Sequence, residues 1–265
     1  QYHQYYCVDD SLGLPDNNIT DIYRDFHNRL WVATVNGVCL YQANGNFKRV
    51  SINSANKNIE KILEDKEGRI FFFTMTDLYQ YDEKNNRAIT KLSKMVEKNC
   101  YNFSCHIDRK DVMWIVTSYS VKGYRTRDLK LIAQNPVQSY PIASFLLDGH
   151  QLYISGYNGM QLFDTDTRKW QHLPAALQGL QIPNDMVSGI HPYGEKGNLL
   201  LSTTKHGLLY FNAQEGTILP QSDKNFPFEV PDMQVNKMLT DSKGNLWLGS
   251  EDDGVKTIYR YKDMF

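Results

Sequence analysis

Asp241 to Ser250 reads DSKGNLWLGS, and Asp25 to Thr34 reads DFHNRLWVAT: an Asp, a Gly or Asn three positions on, and a Trp at the sixth that opens a short apolar run. The phrase recurs between these two copies. It reads DKEGRIFFFT from Asp65, DRKDVMWIVT from Asp108, DGHQLYISG from Asp148 and EKGNLLLST from Glu195. Aligned on the large apolar residue, Trp31, Phe71, Trp114, Tyr153, Leu200 and Trp247 stand 40, 43, 39, 47 and 47 residues apart. Repetition at this period is the mark of a propeller, in which each copy is one four-stranded blade.

The parts of the phrase have mechanical reasons. An Asp with Asn or Gly three positions later (Asp25/Asn28, Asp65/Gly68, Asp241/Gly244) supplies an Asx-type turn and then a residue tolerant of positive φ, which a tight hairpin needs. Upstream of it, Ile19 with Ile22 and Tyr23, Ile59 with Ile62 and Leu63, Ile142 with Phe145 and Leu146, and Val235 with Met238 and Leu239 read as first, innermost strands. Downstream, the run opening at the large apolar anchor is a second strand, its β-branched and aromatic content suiting a buried pleated surface.

A Gly follows the second strand in five copies, at Gly37, Gly123, Gly159, Gly207 and Gly254, with Asp77 in the second copy. Four residues beyond stand Tyr41, Tyr81, Phe163, Phe211 and Ile258, the bulky residues of third strands; copy three carries Arg127 there and an expanded loop from Ser118 to Lys122. Outer fourth strands follow polar turns, as from Phe47 to Ile52 and from Arg168 to Leu173. The expected fold is therefore an all-β propeller of four-stranded blades in a single domain over residues 1–265. Tyr2 to Val8 completes the last blade. Six repeats are visible, and a seven-bladed ring cut short would show the same phase.

The 29 Lys+Arg balance 30 Asp+Glu, for a net charge of −1, and the mean hydropathy is −0.52. Without a basic run the chain lacks the surface that counterion release requires, so nucleic acid is not expected as a partner. Apolar runs such as Ile70 to Phe73 are too short to cross a bilayer. Gln1 to Tyr6 has neither a positive n-region nor an apolar h-region, so no signal peptide is read there. Cys7, Cys39, Cys100 and Cys105 do not form a disulfide framework, and they read as small core or strand residues with room for one adventitious bridge.

The phrase DxxGxLW, followed by a GT-like or AT-like pair and a Gly-apolar step, is similar to the two-component regulator propeller repeat. Asp25–Thr34 and Asp241–Ser250 are its clearest copies, and Val8 to Ile19 resembles the lead-in before the first blade of such proteins. The resemblance implies the extracytoplasmic, periplasmic sensor region of a hybrid two-component histidine kinase of Bacteroides type that detects glycan fragments. It also implies membrane contact only through C-terminal regions, a homodimer in the full-length protein, and no enzyme activity in this domain. Such propellers usually have seven blades. The repeat motif does not fix ligand contacts, so none is carried over.

Function is sought where the copies vary. In a propeller, the turns from second to third strand and the links from outer to next inner strand gather on one face. These segments supply Asn36, Asp77, Tyr119, Tyr157, Asn158, Asn184, His206 and Asp252 as candidate ligand-binding residues. Aromatic rings stack on pyranose faces, and amides and carboxylates satisfy hydroxyls, so the set suits an oligosaccharide or other small ligand. Turn chemistry alone also favours Asn and Asp at such positions.

No cofactor or metal is expected. The seven histidines show no HxxxH spacing. Asp164-Thr165-Asp166-Thr167 opens like a calcium loop but has Lys169 where the sharp Gly belongs, and reads as a hairpin turn. No GxSxG or phosphate-binding glycine loop is present, and the neighbouring Glu251, Asp252 and Asp253 read as a solvated tip, so no catalytic residue is assigned. The rival readings are a propeller lyase or hydrolase, with His206 and Asp185 as its contributors, and an assembly scaffold without a small ligand.

Overall fold

The computed structural model describes residues 13–97, 100, 103–137, 141–156, 159–178, 180, 185–230, 233–250 and 254–259. The chain folds as two compact units, Gln1–Cys100, Cys105–Ile115 and Lys122–Gln134 in one, and Tyr101–Ser104, Val116–Val121 and Asn135–Phe265 in the other.

The first sheet runs in chain order through β1 (Ile19–Arg24), β2 (Leu30–Thr34), β3 (Gly37–Tyr41) and β4 (Phe47–Arg49). The repeated Asp makes its first hairpin. Asp25 Oδ1 accepts the Arg29 backbone N–H at 2.8 Å, while Oδ2 accepts the Trp31 indole N–H at 2.8 Å and the Arg29 guanidinium at 2.6 Å. Asn28 takes φ 63° in the turn itself, as the sequence required of that position. One carboxylate thus ties a turn, a cation and a core aromatic together, satisfying all three in a buried place where unpaired polar groups would be costly.

The outer strand read from Phe47 to Ile52 is interrupted at Val50. The next two residues form β5 (Ser51–Ile52), which leaves the first sheet and enters the second beside β6 (Lys61–Glu64), β7 (Ile70–Phe73), β8 (Asp77–Asp82) and β9 (Arg87–Ser93), in the order β5-β9-β8-β7-β6. It pairs parallel with β9, Ser51 opposite Arg87 and Ile52 opposite Ala88. The two sheets share a core of Trp31, Ala33, Val38, Ile62, Ile70, Phe72 and Tyr79. The Trp31 ring lies 5.6 Å from Phe72 and 4.9 Å, edge-on, from Tyr81. Asp21 of β1 stitches the first strands together by accepting the Ile62 N–H at 2.9 Å and the Lys61 ammonium at 2.8 Å.

The third sheet comprises β10 (Phe103–Ile107), β11 (Val112–Thr117), β12 (Ser120–Arg125) and β13 (Leu131–Pro136). It corrects the sequence reading. There is no expanded loop, because β12 begins at Ser120, which makes Ser120 the counterpart of Gly37 and Tyr124 the counterpart of Tyr41; Arg127 lies beyond the strand. Gly123 serves packing instead of turning: a Cβ there would come within 2.8 Å of the Trp114 ring. Asp108 repeats the clasp, accepting the Val112 N–H at 2.9 Å and the Trp114 indole at 2.7 Å.

In the second unit the fourth sheet holds β14 (Pro141–Leu147), β15 (Gln151–Gly156), β16 (Gly159–Asp164) and β17 (Lys169–Gln171). The fifth holds β18 (Val187–Pro192), β19 (Leu199–Thr203), β20 (Leu208–Asn212) and β21 (Thr217–Pro220). Between them α1 (Ala175–Gln178) is a single helical turn that buries Leu177 among Leu162, Leu173, Leu199 and Phe211. Asp164 caps a hairpin turn, its Oδ1 accepting the Thr167 backbone N–H at 2.7 Å. The sixth sheet shows three strands among the described residues, β22 (Lys237–Thr240), β23 (Leu246–Ser250) and β24 (Gly254–Ile258). The fourth strand assigned to Tyr2–Val8 lies outside the described residues, as does Cys7. Cys39, Cys100 and Cys105 are free thiols.

Six successive antiparallel meanders give an all-β chain of the six-bladed propeller class. Five of the six anchors are buried, whereas Trp247 is 40% exposed.

Candidate functional site

Each described turn from second to third strand in the first, second, third and fifth blades is built on a buried Thr that ends the second strand or directly follows it: Thr34, Thr74, Thr117 and Thr203. The hydroxyl donates back across the turn, from Thr34 to Gly37 O at 3.0 Å, Thr74 to Asp77 O at 3.3 Å, Thr117 to Ser120 O at 3.3 Å and Thr203 to Gly207 O at 3.0 Å. It also accepts a backbone N–H from the turn, and this is what holds the candidates. Asn36 donates to Thr34 Oγ1 at 3.2 Å, Asp77 to Thr74 Oγ1 at 2.9 Å, Tyr119 to Thr117 Oγ1 at 3.3 Å and His206 to Thr203 Oγ1 at 2.9 Å. The invariant part of each turn is therefore the scaffold, and the side chain it presents is free to differ.

In the first unit, Asn36 is exposed at the tip of its turn. Asp77 accepts the Thr76 hydroxyl at 2.7 Å. In the second unit Tyr119 is 47% exposed and its carbonyl accepts the Val137 N–H at 3.2 Å. Tyr157, Asn158, Asn184 and Asp252 lie outside the described residues.

The two side chains the sequence offered to the enzyme reading, Asp185 and His206, meet in the fifth blade. His206 Nδ1 stands 2.6 Å from Asp185 Oδ2, the carboxylate fully buried and the imidazole 55% exposed. Asp185 also accepts the backbone N–H groups of Met186 at 2.7 Å, Thr204 at 2.8 Å, Lys205 at 3.1 Å and His206 at 3.0 Å, together with the Thr204 hydroxyl. Burial alone would raise its pKa, but this ring of donors outweighs burial and holds the carboxyl well below the usual carboxylate range. The imidazole is thereby fixed with its proton on Nδ1 and Nε2 turned away from the carboxylate.

Two residues missed in the sequence complete the turn. Thr204 contacts Asp185 twice, and Gln234 donates its side-chain N–H to Thr204 O at 2.8 Å. One signal could have found the turn: three residues separate Thr203 from Gly207, against two between Thr34 and Gly37. Among the described residues no three His, Cys, Asp or Glu side chains are grouped to hold a metal ion, and no helix is long and apolar enough to cross a membrane.

The two component regulator propeller model matches residues 13–36 and 229–252, the segments that contain the Asp25–Trp31 and Asp241–Trp247 clasps. No curated protein matches the sequence. Among solved structures, the chain is similar to the extracellular domain described as that of hybrid two component system BT4673 from B. thetaiotaomicron, at TM-score 0.74 and 17% identity, over 96% of this chain and 35% of that one. The corresponding domain of BT3049 from B. thetaiotaomicron gives TM-score 0.66 and 16% identity, over 97% and 36%. Virginiamycin B lyase from Staphylococcus aureus gives TM-score 0.68 and 13% identity, over 91% and 80%. The chain spans about a third of the length of the extracellular domains it matches. With the fold matched over nearly the whole chain, this is a β-propeller, and two of its segments, 13–36 and 229–252, match the two component regulator propeller repeat.

Proposed function

We propose that the chain is a non-enzymatic, ligand-sensing propeller from the extracytoplasmic part of a two-component sensor, and that its ligand is a glycan fragment. The match of the regulator propeller repeat to the first and sixth clasps carries this reading. The likeness to extracellular domains of two component systems supports it. So does the design of the turns, in which a constant Thr brace presents a variable polar or aromatic side chain. Location in the periplasm, membrane attachment through regions beyond this chain, and a homodimeric full-length protein belong to the same proposal. Isothermal titration against a panel of oligosaccharides tests it: saturable binding without turnover is the expected result, and turnover of any member would overturn it.

One observation favours a second reading, a propeller lyase. The buried Asp185 holds the exposed His206 ring by Nδ1 and leaves Nε2 facing away from the carboxylate, the geometry of an oriented acid–base histidine. One similar solved structure is that of the catalytically inactive H270A form of virginiamycin B lyase from Staphylococcus aureus with quinupristin. Incubation with quinupristin, followed by mass spectrometry, separates the two readings.

A further inference from the structure

The fifth blade's turn is longer by one residue than those of the first three blades, and the insertion places His206 against Asp185. A histidine in that position has a bland role open to it, which is to satisfy a buried carboxylate. The donors already present make that role superfluous. Four backbone N–H groups and the Thr204 hydroxyl converge on Asp185 without the ring. A carboxylate offers about four lone-pair sites, so these donors alone saturate it. The turn therefore orients the imidazole, which adds one further donor to a carboxylate already held by the backbone.

The ring's remaining polar atom is Nε2, which makes no hydrogen bond to a described residue. With Nδ1 donating to Asp185, Nε2 is the outward polar atom of a half-exposed ring, an acceptor in the neutral imidazole and a donor in the imidazolium, fixed in direction before any ligand arrives. The same turn carries the exposed Lys205, and the exposed Gln234 reaches it through Thr204 O at 2.8 Å. Lys205 is a pure donor, while Gln234 spends its amide N–H on Thr204 O and keeps its carbonyl oxygen as an acceptor. A turn that offers a ring nitrogen of fixed direction, a Lys donor and an amide acceptor matches a molecule whose every polar group both donates and accepts. A saccharide hydroxyl does this.

We infer that His206 is a ligand-contacting residue, taking a saccharide hydroxyl on Nε2, and that Asp185 is the positioning residue that keeps it pointed outward. The inference rests on the sensing reading above and deepens it by naming the contact.

The test titrates the 265-residue chain with a panel of neutral and uronate-bearing oligosaccharides, then repeats the titration with variants on whichever member binds. His206→Ala is expected to weaken binding about tenfold, the worth of one well-formed hydrogen bond, with no change in melting temperature. His172→Ala, an exposed histidine on another link, is expected to change nothing. Asp185→Asn is expected to weaken binding less and to move the ring proton between nitrogens, visible as a changed imidazole 15N pattern that a purely structural role for Asp185 would not produce. Should Asp185→Asn misfold the turn, His206→Gln takes its place, with partial recovery of binding expected because the amide oxygen restores an acceptor. Full-strength binding by His206→Ala would overturn this inference and leave the sensing reading standing. Silence of the wild-type chain across the panel would overturn both.

Discussion

The Asp25–Trp31 and Asp241–Trp247 clasps are the same local device in different company. In both, Oδ1 accepts a backbone N–H four residues on and Oδ2 accepts the indole N–H six residues on, at 2.8 Å in the first blade and 3.0 Å in the sixth. In the first blade Trp31 is wholly buried, packed on Phe72 and Tyr81 with the Arg29 guanidinium over its ring at 5.5 Å. In the sixth, Asn245 replaces the Arg, Trp247 is 40% exposed, and Leu239 and Val255 of the same face are 64% and 65% exposed. The Asp-to-indole bond forms in each of the three copies that carry Trp, at Asp25, Asp108 and Asp241, whereas burial is supplied by a neighbouring blade. The clasp is thus a property of sequence, and the core is a property of assembly.

This contrast can be broken by mutation. Trp31→Ala removes a fully buried aromatic and is expected to cost about 3–5 kcal/mol, read as a fall in the denaturation midpoint. Trp247→Ala should cost about half of that or less, because much of the ring is already in water. Equal losses at the two sites would show that the clasp, not the neighbour, carries the stability. Gly123→Ala sharpens the comparison at the third clasp, where the added methyl would press on the Trp114 ring; a loss of about 1–3 kcal/mol is expected from overpacking. Leu239→Ser, on the exposed face, should stay within about 0.5 kcal/mol of the parent.

Acid titration separates the clasps by a different route. Burial alone would raise the Asp25 pKa, but the Trp31 indole and the Arg29 N–H groups outweigh it and leave the carboxyl below its ordinary value. At Asp241 the Trp247 indole is the leading cause, and the pKa falls to about 2. A folded pKa below the unfolded one means that each charge stabilises the fold above about pH 4 and that the contribution fades as pH drops through the folded value. For Asp241 the loss spans about pH 4 to about pH 2. Asp25→Asn and Asp241→Asn should each flatten the stability curve in the acid range, measured by urea midpoints at successive pH values, and a curve unchanged by either would refute the clasp's electrostatic role.

Much of this was legible in the sequence because the informative interactions are short. First strands, second strands and Asp turns follow from residues within ten positions of one another, and all six sheets fell where the phrase put them. The third blade was misaligned because Gly123 looks like the turn glycine of its neighbours. The turn is made by the Thr117 hydroxyl accepting the Ser120 N–H at 3.1 Å, and Gly123 is small because a Trp ring lies on it. His206 and Asp185 were each visible as candidates, but their 2.6 Å contact joins residues 21 apart through two loops, and no periodicity encodes that. The exposure of Trp247 was likewise invisible, since its local phrase matches that of Trp31.

The passage of Ser51–Ile52 out of the first sheet and onto β9 has a consequence for how the molecule comes apart. Repeat arrays ordinarily fray one unit at a time, because successive units share side-chain contacts but no main-chain ladder. Here Ser51 N–H donates to Asn86 O at 3.1 Å and Asn86 Nδ2 donates to Arg49 O at 2.9 Å, so the first two blades are sewn by backbone. Amide hydrogens of both should exchange with solvent in one concerted opening, making the pair a single foldon at that end of the protein.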